Sequence, residues 1–115
     1  MKANELRIGN YVNYNGKDCV FGIYDIVNLH DDEDCADLTN PIPLTEEWLL
    51  KFGFIANKYN DEFTKGRYTL DCEYTDKGVY NFVIDMQTCI DVDIKHVHQL
   101  QNLYFALTGE ELSII

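Results

Sequence analysis

Arg67-Tyr68-Thr69-Leu70-Asp71-Cys72-Glu73-Tyr74 and, past a short polar break, Val79-Tyr80-Asn81-Phe82-Val83-Ile84-Asp85-Met86 alternate in two-residue steps. Successive side chains on a strand point to opposite faces, so this spacing predicts a β-hairpin with one apolar side. A loop at Asp76-Lys77-Gly78 sets Tyr74 opposite Tyr80, Cys72 opposite Phe82, Leu70 opposite Ile84 and Tyr68 opposite Met86. A slip of one residue would turn one strand over, so the pattern selects a register of this parity. Gly78 supplies the left-handed residue such a loop needs. Ile90, Val92 and Ile94 continue the apolar side into a third strand. The other side then gathers Asp71, Glu73, Asp85, Asp91 and Asp93, with Arg67 the nearest cation. Carboxylates collected on one sheet face repel unless water, salt or a basic partner screens them.

The flanking segments supply the remaining elements. Leu6 to Tyr14 runs into Asn15-Gly16, a two-residue turn signal because both positions need positive φ. A second apolar run from Cys19 to Leu29 completes an N-terminal hairpin. Thr45-Glu46-Glu47-Trp48-Leu49-Leu50-Lys51-Phe52-Gly53-Phe54 reads as a short helix. Thr45 is its N-cap, Glu46 and Glu47 suit the positive end of the dipole, and Leu44 and Leu49 occupy staple positions. Gly53 stops the helix and Phe54 falls back toward Leu49. Val97, Leu100, Leu103, Tyr104 and Leu107 form the stripe of a C-terminal helix ended by Gly109. A second face of that helix carries His98, Gln101, Asn102 and Phe105. It is either covered by another element or forms a contact surface for a partner or second subunit. The expected fold is a single α+β domain over residues 1–115. It has an antiparallel sheet (N-terminal hairpin plus three-stranded meander), a short central helix, and a C-terminal amphipathic helix on the meander's apolar face.

Bulk properties narrow the function classes. At 115 residues with 46% hydrophobic content, the chain has material for one core and lies outside the composition of disordered proteins. A net charge of −11 argues against direct contact with nucleic-acid phosphates or anionic membrane. No signal segment or apolar span is read, so a cytoplasmic location is expected. Cys19, Cys35, Cys72 and Cys89 form no C-x-x-C pair and are expected as buried thiols. The acidic loop from Asp31 to Asp37 lacks the glycine and terminal glutamate of a calcium loop. His96 and His98, with Cys89 or Asp93, make a poor metal set, since residues two apart share a strand face but not a helix face. No nucleophile elbow, phosphate loop or zinc signature is present, and no catalytic residue, metal or cofactor is assigned.

Three blocks carry a resemblance: Leu6-Arg7-Ile8-Gly9-Asn10-Tyr11-Val12, then Pro41 to Phe54, then Val97 to Leu112. Together they resemble a family of small uncharacterised prophage and mobile-element proteins of Bacteroides-type gut bacteria. The resemblance implies a phage-associated setting and brings no activity or site residue with it. The residues themselves point to a small acidic, non-enzymatic interaction module that binds a protein partner or itself, including as a homo-oligomer. Its candidate contacts are His98, Gln101, Asn102 and Phe105, together with Asp71, Glu73, Asp85, Asp91 and Asp93. Two alternatives are an acidic mimic of nucleic acid that inhibits a host nucleic-acid-binding protein, and a small metal-dependent enzyme.

Overall fold

A computed structural model describes residues 6–20, 22, 39–72 and 78–114; within it the side chain of Asp91 lies outside the description. The architecture is α+β, with antiparallel sheets and two helices among the described residues. The chain divides into two compact units, residues 1–42 with 96–111 and residues 43–95 with 112–115.

In the first unit β1 (Tyr11–Tyr14) and β2 (Lys17–Val20) form the expected hairpin, with Val12 opposite Cys19 and Tyr14 opposite Lys17. Asn15 and Gly16 hold φ of 49° and 87°, as a primed two-residue turn requires. A short β3 (Thr39–Asn40) pairs on the other side of β1. The C-terminal helix spans Val97–Thr108, and we label it α2. The backbone N–H of His96 bonds to the Gln99 side chain at its start, and Gly109 ends it at a φ of 74°. The helix is grouped with β1 in this unit. Its buried residues are Val97, His98, Leu100, Gln101 and Tyr104. The inward stripe is therefore turned toward Gln101, and Leu107, expected inside, is exposed.

In the second unit α1 (Glu46–Lys51) carries every cap expected of it. Thr45 Oγ1 accepts from the Trp48 N–H at 3.4 Å. At the other end Gly53 N–H reaches Leu50 O and Phe54 N–H reaches Leu49 O, both at 3.1 Å, the paired bonds of a Schellman motif. Leu44 and Leu49 are both buried, consistent with the staple.

Among the described residues the meander has five strands where three are expected: β4 (Ile55–Ala56), β5 (Glu62–Lys65), β6 (Tyr68–Asp71), β7 (Tyr80–Ile84) and β8 (Thr88–Ile94), in that spatial order. Leu70 faces Phe82 and Tyr68 faces Ile84, a register two residues from the expected one. An even shift keeps each side chain on its face, so Leu70, Phe82 and Ile84 still share the apolar side. β7 also ends earlier than the alternation predicts, because Asp85 and Met86 leave it. At φ of 54° and 59° they make a two-residue turn closed by Gln87 N–H to Ile84 O at 3.1 Å. The remainder of the predicted Asp76-Lys77-Gly78 loop lies outside the described residues, although Gly78 has the positive φ assigned to it.

A row of Phe63, Leu70, Phe82 and Ile90 crosses β5 to β8 on the apolar side, and the first three are fully buried. Phe63 meets Tyr80 edge-on at 6.3 Å and Tyr68 meets Phe82 at 5.6 Å, aromatic pairs that add to the burial of their area.

Candidate functional site

The second face of α2 is engaged within its own unit. Arg7, Ile8, Gly9 and Asn10 form a turn closed by Asn10 N–H to Arg7 O at 3.0 Å, with Gly9 at a φ of 97°. That turn presents the backbone of Gly9 and Tyr11 to Gln101. The Gln101 amide donates from Nε2 to Gly9 O at 3.0 Å and accepts at Oε1 from Tyr11 N–H at 2.8 Å. One amide side chain thereby supplies the donor and acceptor that a neighbouring strand would provide.

Asn10 Nδ2 donates to Asn102 Oδ1 at 2.9 Å, and Arg7 Nε donates to the same oxygen at 3.2 Å. The Arg7 guanidinium also reaches Gln101 O at 3.2 Å, pairs with Glu111, and lies 4.3 Å from the centroid of the Phe105 ring. Charge-assisted and cation–π contacts from a single planar group hold the N-terminal segment against the helix.

Of the four residues predicted to form a contact face, Gln101 is 0% exposed and His98 is buried. Asn102 is half-buried inside this cluster, and Phe105 remains 39% exposed beneath Arg7. Gln101, Asn102 and Phe105 form an internal lock with the N-terminal segment. The difference has a physical cause: the Gln101 amide is satisfied by backbone groups, and the Asn102 amide by side chains, about ninety positions earlier in the chain, and periodicity along a helix carries no trace of such partners.

The acidic strand face is rearranged as well. Asp85 sits in the turn rather than in β7, and Arg67 grips it with two bonds, Nε to Oδ1 at 3.0 Å and Nη2 to Oδ2 at 2.8 Å. That bidentate bond holds the Asp85 carboxyl below the ordinary carboxylate range and raises Arg67. Glu73 and the Asp91 side chain lie outside the described residues.

Asp71 and Asp93 do share a face, and register brings a residue the sequence reading missed beside them. Glu62 opposes Asp71, Asp71 opposes Asn81, and Asn81 opposes Asp93. Three carboxylates and one amide therefore form a row across β5, β6, β7 and β8. At about 4.8 Å between strands, the row spans roughly 14 Å. This side is not wholly solvated: Thr69 in the neighbouring row is buried and bonds Thr64 at 3.2 Å.

Of the cysteines, Cys19 and Cys89 are exposed and Cys72 is half-buried, against the expectation of buried thiols; Cys35 lies outside the described residues, as does the acidic loop. Among the described residues β2 and β8 are the edges of their sheets, and Cys19 and Cys89 lie on them. Burial, then the charges of Asp71 and Asp61, push the Cys72 thiol up, so it stays protonated and poorly nucleophilic.

Among the described residues no group of three or more His, Cys, Asp or Glu side chains could hold a metal ion, and no helix is long and apolar enough to cross a membrane. No protein-family model, curated protein or solved structure matches the chain.

Proposed function

We propose that this protein is a non-enzymatic interaction module whose working surface is the Glu62–Asp71–Asn81–Asp93 row, and that it binds a basic surface of a protein partner. The observation that supports this is the cross-strand register, which lines up carboxylates from three strands on one face of the sheet. Like charges directly opposite one another destabilise a sheet, so a row of this kind imposes a cost that Lys or Arg groups of a partner would relieve. The helix face that also suggested binding is spent internally on Arg7, Asn10 and Tyr11. The net charge of −11 favours the same sign of partner and speeds its approach.

The setting belongs to this reading too. The three blocks that resemble prophage and mobile-element proteins suggest that the partner is a bacterial host protein. Exposed thiols at Cys19 and Cys89 suit a reducing cytoplasm. A narrower form of the proposal has the acidic row occupying the nucleic-acid groove of its partner.

The test is capture from host lysate by the wild-type chain and by Glu62→Gln/Asp71→Asn/Asp93→Asn. Partners held by the wild type at low salt are expected to be lost from the triple variant while its circular dichroism is unchanged. Equal capture by both chains would overturn the proposal. Release of the partner by added DNA would select the narrower form, and indifference to DNA would remove it.

A further inference from the structure

The two edges of the five-stranded sheet are built differently. β4 closes one side with only two residues, and an edge so short offers little backbone to another chain. β8 closes the other with seven. Its backbone bonds run to β7, its one recorded side-chain bond is local (Cys89 Sγ to Ile90 O, 3.8 Å), and among the described residues no strand pairs with its outer side. Strand pairing does resume immediately after it, where Leu44 N–H bonds to Lys95 O at 2.9 Å.

The edge is also guarded. The register jumps from Asn81 opposite Asp93 to Phe82 opposite Ile90, leaving Asp91 and Val92 as extra residues in a bulge. Bulges and charges discourage indiscriminate edge pairing. A negative guard is selective by sign, however. A second copy of β8 would bring Asp93 toward like charge, whereas a strand bearing Lys or Arg would meet opposite charge.

From these features we infer that β8 is a docking edge for an extended, basic segment of a partner protein, which adds to the sheet as a further strand. This rests on the interaction reading above and specifies its mode. Main-chain bonds to β8 supply affinity, and alternate side chains supply specificity. Those on the acidic side continue the Glu62–Asp71–Asn81–Asp93 row, placing Lys or Arg about 5 Å from Asp93, counted between Cβ atoms. Those on the other side lie against Val92, which is 41% exposed. Charge complementarity chooses the occupant.

The test uses the full chain and the peptide Lys-Val-Lys-Val-Lys-Val-Lys, alongside the same peptide N-methylated along its backbone. Methylation keeps the charge and removes the amide donors. Calorimetric titration is combined with amide hydrogen exchange and sedimentation of the free protein. Binding with exchange at residues 88–94 slowed by about tenfold or more, and an affinity at least about tenfold lower for the methylated peptide, is the expected result. Equal binding of the two peptides with unchanged exchange would overturn strand addition and leave the acidic face as a simple charge-docking surface. No binding of either peptide would overturn both. A dimer in the absence of peptide, with β8 amides already protected, would assign the edge to a second copy and overturn the inference.

Discussion

Gln101 shows how much one side chain can hold in place. Its fully buried amide closes the backbone of Gly9 and Tyr11, so removing it takes that partner from one carbonyl and one N–H in a part-buried setting. Each such group costs about 1–3 kcal/mol when left without a bond. Gln101→Leu is therefore expected to lower stability by about 2–4 kcal/mol, read from the urea midpoint at constant slope. A second residue-scale prediction concerns Asp85. Its carboxyl is held low by the Arg67 hydrogen bond, so the pair's contribution is present above the ordinary carboxylate pKa and is lost as pH falls through the lowered value. Carboxyl titration by NMR should place Asp85 below the ordinary carboxylate range and return it to that range in Arg67→Ala. An unchanged midpoint in that variant would show that the guanidinium is not the cause. At this scale the sequence revealed the unusual residues but not their partners. Gln101 and Phe105 were visible as outliers from the stripe, while Arg7, which ties both to the N-terminal segment, carried no local signal.

Elements were legible wherever their determinants are local. Asn15-Gly16 needs only its own φ angles, and α1 carries its start and stop within ten residues, so both are where the sequence puts them. The strands β4 and β5 were missed because β4 is two residues long and the turn beyond it is held by side chains: Asn57 Oδ1 accepts from Asp61 N–H at 3.1 Å, and Asn57 Nδ2 donates to Asp61 Oδ1 at 2.7 Å. A usable signal was present in Gly66, which at a φ of 61° opens the tight turn from Lys65 to Tyr68. The parity of β6 and β7 was recoverable from hydrophobic alternation, but their exact register was not. That register is set in the connection between β6 and β7, most of which lies outside the described residues, and the next turn was missed as well: Asp85 and Met86 take left-handed conformations there, where an alternating pattern reads two more strand residues. This leads to a prediction for the element. Met86 holds a φ of 59°, where a side chain costs about 1 kcal/mol, and it is exposed. Its sulfur accepts from Thr69, whose hydroxyl still has Thr64 as a partner once the sulfur is gone. Met86→Gly is accordingly expected to stabilise the protein by roughly 0.5–1 kcal/mol in chemical denaturation. A loss of stability would mean that the Thr69–Met86 contact outweighs the turn strain.

For the whole molecule the governing quantity is charge. Twenty acidic residues face nine basic ones, and ion pairs among the described residues engage Glu47, Asp85 and Glu111. Two effects of salt then compete. Screening weakens these pairs, of which Lys51–Glu47 and Arg67–Asp85 are solvent-exposed and contribute little. It also weakens the mutual repulsion of an eleven-charge excess, which unfolding relieves by moving the charges apart. The second effect involves many more pairs over distances near the screening length of about 10 Å at 0.1 M salt, so it should win. The melting temperature is expected to rise as sodium chloride increases from about 0.02 to 0.5 M, a range over which that length falls steeply. Glu62→Gln/Asp71→Asn/Asp93→Asn should start from a higher melting temperature at low salt and show a smaller rise, because the carboxylate row accounts for part of the repulsion. If the wild type and the triple variant melt identically across the series, the row stores no electrostatic cost, and the argument that a basic partner relieves one fails with it.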